Sequence, residues 1–225
     1  MERQLSILVF GFLLGIKHSF ETDHVVAVTT IVSEHKKLLQ AALVGTFWGM
    51  GHTTTLFVIG LSVLVLKIAI PQQISLFFEM IVGITLVVLG LAAIYRTVSF
   101  HIHVHTHSHL THVHQHMHTN TSHSHVHKKS FLMGTLHGLA GSGALMLLVL
   151  STIRNTMEGV IYILLFGIGS AGGMTVISLI LGLPFLLSTQ KFPNIQKYLS
   201  LVAGIISVVV GATLAYEIYL ALAAG

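Results

Sequence analysis

The sequence contains no cysteine. That absence excludes structural disulfides, thiolate metal sites and thiol redox chemistry, a thiol-shuttling electron carrier among them. Charge is nearly as scarce: 8% of the 225 residues are Asp, Glu, Lys or Arg, against 53% hydrophobic, whereas soluble domains average about 25% charged. With a mean hydropathy of +0.86, this is the composition of an integral membrane protein. Neither a P-loop nor a kinase-like motif set is present, so any transport would draw on an ion gradient or an external partner. The formal net charge is only +4 and the basic residues fall in short connections. Nucleic acid is therefore not an expected partner, and the charge reads as a topology signal.

What is abundant is apolar sequence. About 20 such residues span a bilayer as a helix, and six segments qualify, at roughly 5–31, 38–66, 74–95, 130–151, 159–187 and 198–221. The first lacks an A-x-A-like cleavage site and has a counterpart later in the chain, so it is read as retained. With the N-terminus outside, the inner connections carry Lys36, Lys37, Arg96, Lys128, Lys129, Lys191 and Lys197, and the outer ones Arg3, Lys67 and Arg154. Positive-inside counting predicts a multi-pass cell-membrane protein in lipid, both termini outside and the loop at 96–129 cytoplasmic.

The two halves resemble each other. Residues 12-FLLGIKH-18 match 131-FLMGTLH-137, and 83-GITLVVLGLAAIY-95 matches 204-GIISVVVGATLAY-216. The middle segments align more loosely, 60-GL-61 on 182-GL-183 and Gly51 on Gly173, which sets Met174 against His52. Three helices per repeat is an odd number, so the second repeat enters the membrane from the opposite side. The predicted fold is all-α integral membrane, six transmembrane helices as two inverted three-helix repeats, with units at 1–95, 96–129 and 130–225. In such architectures the substrate site lies near the midplane, on interrupted helices at the repeat interface.

Two segments are interrupted here, by 17-KHSFETDH-24 and by 137-HGLAGSG-143. Ionisable groups at membrane depth are costly and mark pathways or sites. On an ideal helix His18, Asp23 and His24 point three ways, and they converge on one ion only where the helix unwinds locally. His52, in 45-GTFWGMGHTTTLF-57, is a further candidate among small and hydroxylated residues that permit close helix approach; alone it also reads as a packing histidine. Imidazoles plus a carboxylate, without sulfur, suit a borderline divalent ion such as Ni2+, Co2+ or Zn2+, while Ca2+ and Mg2+ prefer all-oxygen shells. Glu21 stands four residues from Lys17 and pairs with it on a continuous helix. His137 is a lesser candidate, because Ser142 and Gly143 stand where the first repeat has Asp23 and His24.

Between the repeats lies 101-HIHVHTHSHLTHVHQHMHTNTSHSHVH-127. Its twelve histidines are His101, His103, His105, His107, His109, His112, His114, His116, His118, His123, His125 and His127. Tracts of this kind bind transition metals through neutral imidazole, so these residues are candidates for metal capture. The polar, low-complexity composition predicts disorder without metal.

The segment 15-GIKHSFETDH-24 resembles the H-x4-D-H signature of the nickel/cobalt transporter family, and 47-FWGMGHTTTL-56 is similar to its second, glycine–histidine–hydroxyl motif. The resemblance implies that His18, Asp23, His24 and His52 select and pass the metal, with Glu21 where many members have another acidic residue. Six helices and 137-HGLAGSGA-144, in place of eight helices and a further acidic motif, bring the chain nearer the shorter branch of urease-accessory-type membrane proteins. The expectation is secondary transport of nickel or cobalt, with uptake as its direction. No enzymatic activity and no prosthetic group are expected, and cytoplasmic metal chaperones or nickel-enzyme maturation proteins are implied as partners. Efflux conferring metal resistance and a non-transporting metal sensor are the alternatives.

Overall fold

A computed structural model describes residues 2–35, 37–67, 71–99, 103–107, 110–114, 123–138, 150, 152–153, 155–191 and 193–224. Among these residues seven helices form the body: α1 (Glu2–Ser19), α2 (Thr22–Val32), α3 (Leu38–Leu66), α4 (Gln72–Val98), α5 (His123–Gly138), α6 (Thr156–Lys191) and α7 (Pro193–Ala224). Four of them, α3, α4, α6 and α7, contain stretches long and apolar enough to cross a membrane, while α1 and α2 include shorter apolar helices. Large apolar side chains such as Val58, Val88, Leu91, Ile168, Ile180 and Val209 stand exposed along the long helices. So wide an apolar exterior is unlike the surface of a soluble monomer. The chain is a multi-pass membrane protein.

The interior holds two clusters. One joins Val26, Ile31, Trp48, Leu86 and Met174; the other joins Leu14, Leu56, Tyr162, Ile163 and Phe166. Met174 is packing, as a lone methionine in a membrane helix usually is.

Helix contacts are made through glycine, which lets backbones approach closely where no hydrophobic drive exists between helices in lipid. α1 lies parallel to α6: a Cβ on Gly15 would collide with the Phe166 carbonyl, and one on Gly169 with the Phe12 carbonyl. α5 lies parallel to α3 in the same manner, Gly134 against the Trp48 carbonyl and Gly51 against the Phe131 carbonyl. α3 and α6 run antiparallel, with Gly49 on Ala171 and Gly167 on Thr53. The antiparallel pair α4 and α7 meets through Gly83 on Gly211 and Gly90 on Gly204, where the Ser207 hydroxyl donates to the Leu86 carbonyl at 2.8 Å. Every contact in this set has a reciprocal one. In that reciprocity Gly51 corresponds to Gly169 and His52 to Ser170, one helical turn away from the expected alignment of Gly51 with Gly173 and of His52 with Met174.

The predicted spans coincide with α3, and lie within α4, α6 and α7. The span expected at 5–31 is instead two helices in series, and residues 139–149 of the span expected at 130–151 lie outside the described residues. The histidine tract also departs from expectation. Strands β1 (His103–His107) and β2 (Leu110–His114) form an antiparallel hairpin with His103 opposite His114 and His105 opposite His112. The intervening Val and Thr residues are β-formers at strand period, which favours pairing over disorder. Helix α5 begins inside the tract, at His123.

The insert is tied down at both ends by one carboxylate. Glu34, between α2 and α3, bonds Arg96 at the end of α4 and lies 3.8 Å from Lys129 on α5. Beside it His35 is buried. Burial pushes its pKa below the usual histidine value, opposed by Glu34 and reinforced by Lys129.

Candidate metal centre

The centre begins at the break between α1 and α2. The Ser19 hydroxyl turns back to the Ile16 carbonyl at 2.6 Å, and the amides of Phe20 and Glu21 close tight turns on the Lys17 and His18 carbonyls, each at 3.0 Å. Glu21 is extended (φ −62°, ψ 146°), and its carbonyl accepts the Val25 amide to start the next helix. In a continuous helix His18 and His24 would face about 120° apart. The break swings their rings to a centroid separation of 4.8 Å. His52 enters from the middle of α3, where Gly49 and Gly51 let neighbouring backbones close in, and its ring lies 4.9 Å from each of the other two. All three rings are buried.

The carboxylates orient the rings. Glu21 Oε1 lies 3.2 Å from His18 Nδ1, and Asp23 Oδ1 lies 3.2 Å from His24 Nδ1. An ionised carboxylate only accepts, so Nδ1 is the donor in each pair, and in the neutral ring Nε2 carries the lone pair. Carboxylate–histidine pairs of this kind raise the basicity of a ligating imidazole. His18 Nε2 and His52 Nε2 stand 2.8 Å apart. Two imidazole nitrogens at right angles on one ion, each at about 2.0–2.1 Å, would be about 2.9 Å apart, so the spacing suits a shared cation as well as a shared proton. His24 Nε2 and His52 Nδ1 are buried without a hydrogen-bond partner among the described residues. Ligand atoms of His18, His24 and His52 all lie within 4.8 Å of one another, as do those of Glu21, Asp23 and His24. The last turn of α1 adds the negative end of a helix dipole, which favours a cation.

His18, His24 and His52 thus come together in the fold, and Asp23 joins them through His24. Glu21 is there too, bonded to His18 rather than to Lys17, because the helix ends before an i,i+4 pair can form. His137 is fully buried next to the trio, its ring 5.7 Å from that of His24 and 4.6 Å from that of Trp48. Sequence reasoning missed Phe166, whose ring lies 5.4 Å from His18. Its counterpart in the reciprocal glycine contacts is Trp48. Of the tract histidines, His103, His105, His107, His112 and His114 lie on the hairpin and His123, His125 and His127 on α5. His101, His109, His116 and His118 lie outside the described residues. His127 packs its ring 4.4 Å from that of Phe47 on α3, which sets it apart from a solvated capture site.

The urease accessory protein UreH of Bacillus sp. (strain TB-90) is 43% identical over 214 residues, covering 95% of this chain and 92% of that protein. The chain belongs to the UreH family. UreH is named as an accessory protein of urease, not as an enzyme. A more distant relative is the chloroplast protein FOR GROWTH AND FERTILITY 2 of Arabidopsis thaliana, 24% identical over 203 residues, covering 89% of this chain and 54% of the relative. No protein-family model matches this UreH-family chain, and no solved structure matches it.

Proposed function

We propose that this chain is a secondary carrier that brings Ni2+ or Co2+ into the cell, nickel being the metal that a urease-accessory role calls for. The observation that carries the reading is the meeting of the Nε2 atoms of His18 and His52 at 2.8 Å beside His24, with Glu21 and Asp23 holding the rings. Three buried imidazoles without sulfur suit Ni2+, Co2+ or Zn2+. Buried together without a ligand, they would be costly in a membrane interior.

The ion sheds part of its hydration shell at His18, His24 and His52, where Asp23 and Glu21 balance its charge. It leaves when the two halves, 1–95 and 130–225, rock about the site. The reciprocal glycine contacts support reading those halves as inverted three-helix repeats, in which α1 and α2 together make one crossing. Lys37, Arg96, Lys128 and Lys129 gather at the end where the insert 96–129 emerges, which supports a cytoplasmic insert and termini on the outer side. There the histidine tract collects metal for chaperones or maturation proteins.

The test is metal accumulation in a transport-deficient cell offered Ni2+, Co2+, Zn2+ and Mn2+. Nickel or cobalt gain is expected, reduced to background by His18→Ala, His24→Ala, His52→Ala or Asp23→Ala with insertion intact. Depletion of cell metal would mark an exporter instead, and binding without flux into proteoliposomes a sensor.

A further inference from the structure

We propose that His137 is a second ligand station, contributed by the other half of the chain, to which the ion passes from the first-half site through His24. The inference rests on reading His18, His24 and His52 as the ion's entry site.

His137 is fully buried, and its Nδ1 lies 3.1 Å from the Met133 carbonyl. A carbonyl only accepts, so Nδ1 holds the proton and Nε2 is a bare lone pair. That Nε2 is buried and has no hydrogen-bond partner among the described residues. Buried polar atoms are satisfied in the great majority of cases, and this one stands beside two further unpartnered imidazole nitrogens rather than alone. The bare Nε2 of His24 and the bare Nδ1 of His52 are its counterparts in the first-half site.

Ring spacing decides whether these histidines can share an ion. With a metal–nitrogen bond of about 2.0–2.1 Å, a ring centroid sits roughly 3.2 Å from the metal. Two rings on one ion therefore have centroids about 4.5 Å apart at right angles and about 6.4 Å apart in line. The separations His18–His24 at 4.8 Å, His24–His52 at 4.9 Å and His24–His137 at 5.7 Å all fall inside that window. His24 is the ring that meets both His18 and His137. Its partner Asp23 lies within electrostatic reach of His18, His24 and His137, so its charge accompanies the ion at either station.

The reciprocal packing gives the second station its place. His18 lies against Phe166 of α6 at 5.4 Å, and His137 against Trp48 of α3 at 4.6 Å. Each histidine follows a glycine, Gly15 or Gly134, that seats its helix on the carbonyl of that same aromatic residue. His137 thus occupies in the second half the position that His18 occupies in the first. It lacks a carboxylate on its Nδ1, as befits a ligand that lets go.

The experiment is flux into proteoliposomes of the full chain at saturating Ni2+ and Co2+, where capture by the insert does not limit the rate. His137→Leu, which keeps an apolar side chain against Trp48, should lower the maximum rate at least tenfold and leave half-saturation within about twofold. His137→Cys should restore transport preferentially for Cd2+ and Zn2+, since thiolate is the softer ligand, a change of metal preference that a packing role would not produce. Should the Leu variant fail to fold, the Cys variant alone decides. Wild-type flux by His137→Leu, or an unchanged metal preference in folded His137→Cys, would overturn the proposal while His18→Leu and His24→Leu stay inactive. Wild-type flux by those two as well would remove the entry site itself.

Discussion

His18 and His137 occupy matching positions in the two halves, yet their surroundings differ in one respect. The Nδ1 of His18 faces the carboxylate of Glu21 across a broken helix, whereas the Nδ1 of His137 bonds the carbonyl of Met133 within an unbroken one. His24, after the break, has its own carboxylate in Asp23. A carboxylate behind an imidazole makes it a better donor to a cation than a neutral carbonyl does. The same reciprocal packing therefore surrounds one histidine backed by a carboxylate and another backed by a neutral carbonyl.

The largest effects should come from breaking the frame itself. Gly15→Ala and Gly134→Ala each drive a methyl group into a backbone carbonyl, Phe166 and Trp48 respectively. Overpacking costs about 1–3 kcal/mol where side chains can give way and more where only backbone can. Both variants should lose the monodisperse peak of the detergent-solubilised protein in size-exclusion chromatography. Gly172→Ala, with nothing within 4 Å of the added Cβ, should leave it unchanged. Collapse of only one of the two would show that the halves do not depend on their glycines alike.

Next in size is the difference in backing. Glu21→Gln and Asp23→Asn keep shape and remove charge, and each should raise the half-saturating Ni2+ concentration about 10–100-fold. Met133→Leu, which retains the carbonyl that His137 uses, should have no such effect. Equal responses at all three positions would erase the contrast between the halves.

The smallest effect should come from the insert. Deleting residues 101–127 should leave flux within about twofold at saturating metal and reduce it several-fold when metal is scarce, as loss of a tethered binding site does. Imidazole ligates in its neutral form, which is present above its pKa of about 6.5 and lost as pH falls through it. The gap between intact and deleted proteins should therefore close below about pH 6. Flux curves at two pH values measure it, and loss of flux at every concentration would put the tract on the path.

Much of this was legible in the sequence because membrane depth penalises charge so heavily. Five ionisable residues between Lys17 and His24 pointed to the interruption between α1 and α2, and apolar length alone placed α3, α4, α6 and α7. The register of the middle helices was not legible. Segments rich in Gly, Val and Leu align almost equally well when shifted by one turn, since a four-residue shift preserves the buried face. Gly51 was accordingly matched to Gly173, and the kinship of Trp48 with Phe166 stayed hidden. Nor does sequence tell which carboxylate stands behind which ring; the pairs Glu21–His18 and Asp23–His24 emerge only in the fold. In the tract, the period-two spacing of His with Val and Thr carried a strand signal that polar composition masked.

Glu34 gathers Arg96 and Lys129, so the tract departs from the bundle and returns to it at a single point. A chain closed at its base exerts little leverage on what it is attached to, and the entropy of closing it grows only slowly, by about 0.6 kcal/mol for each doubling of length. The number of histidines is thereby uncoupled from the integrity of the membrane body. The hairpin of β1 and β2 is free to lengthen, shorten or change composition without disturbing a helix contact, whereas His127 is held against Phe47 of α3.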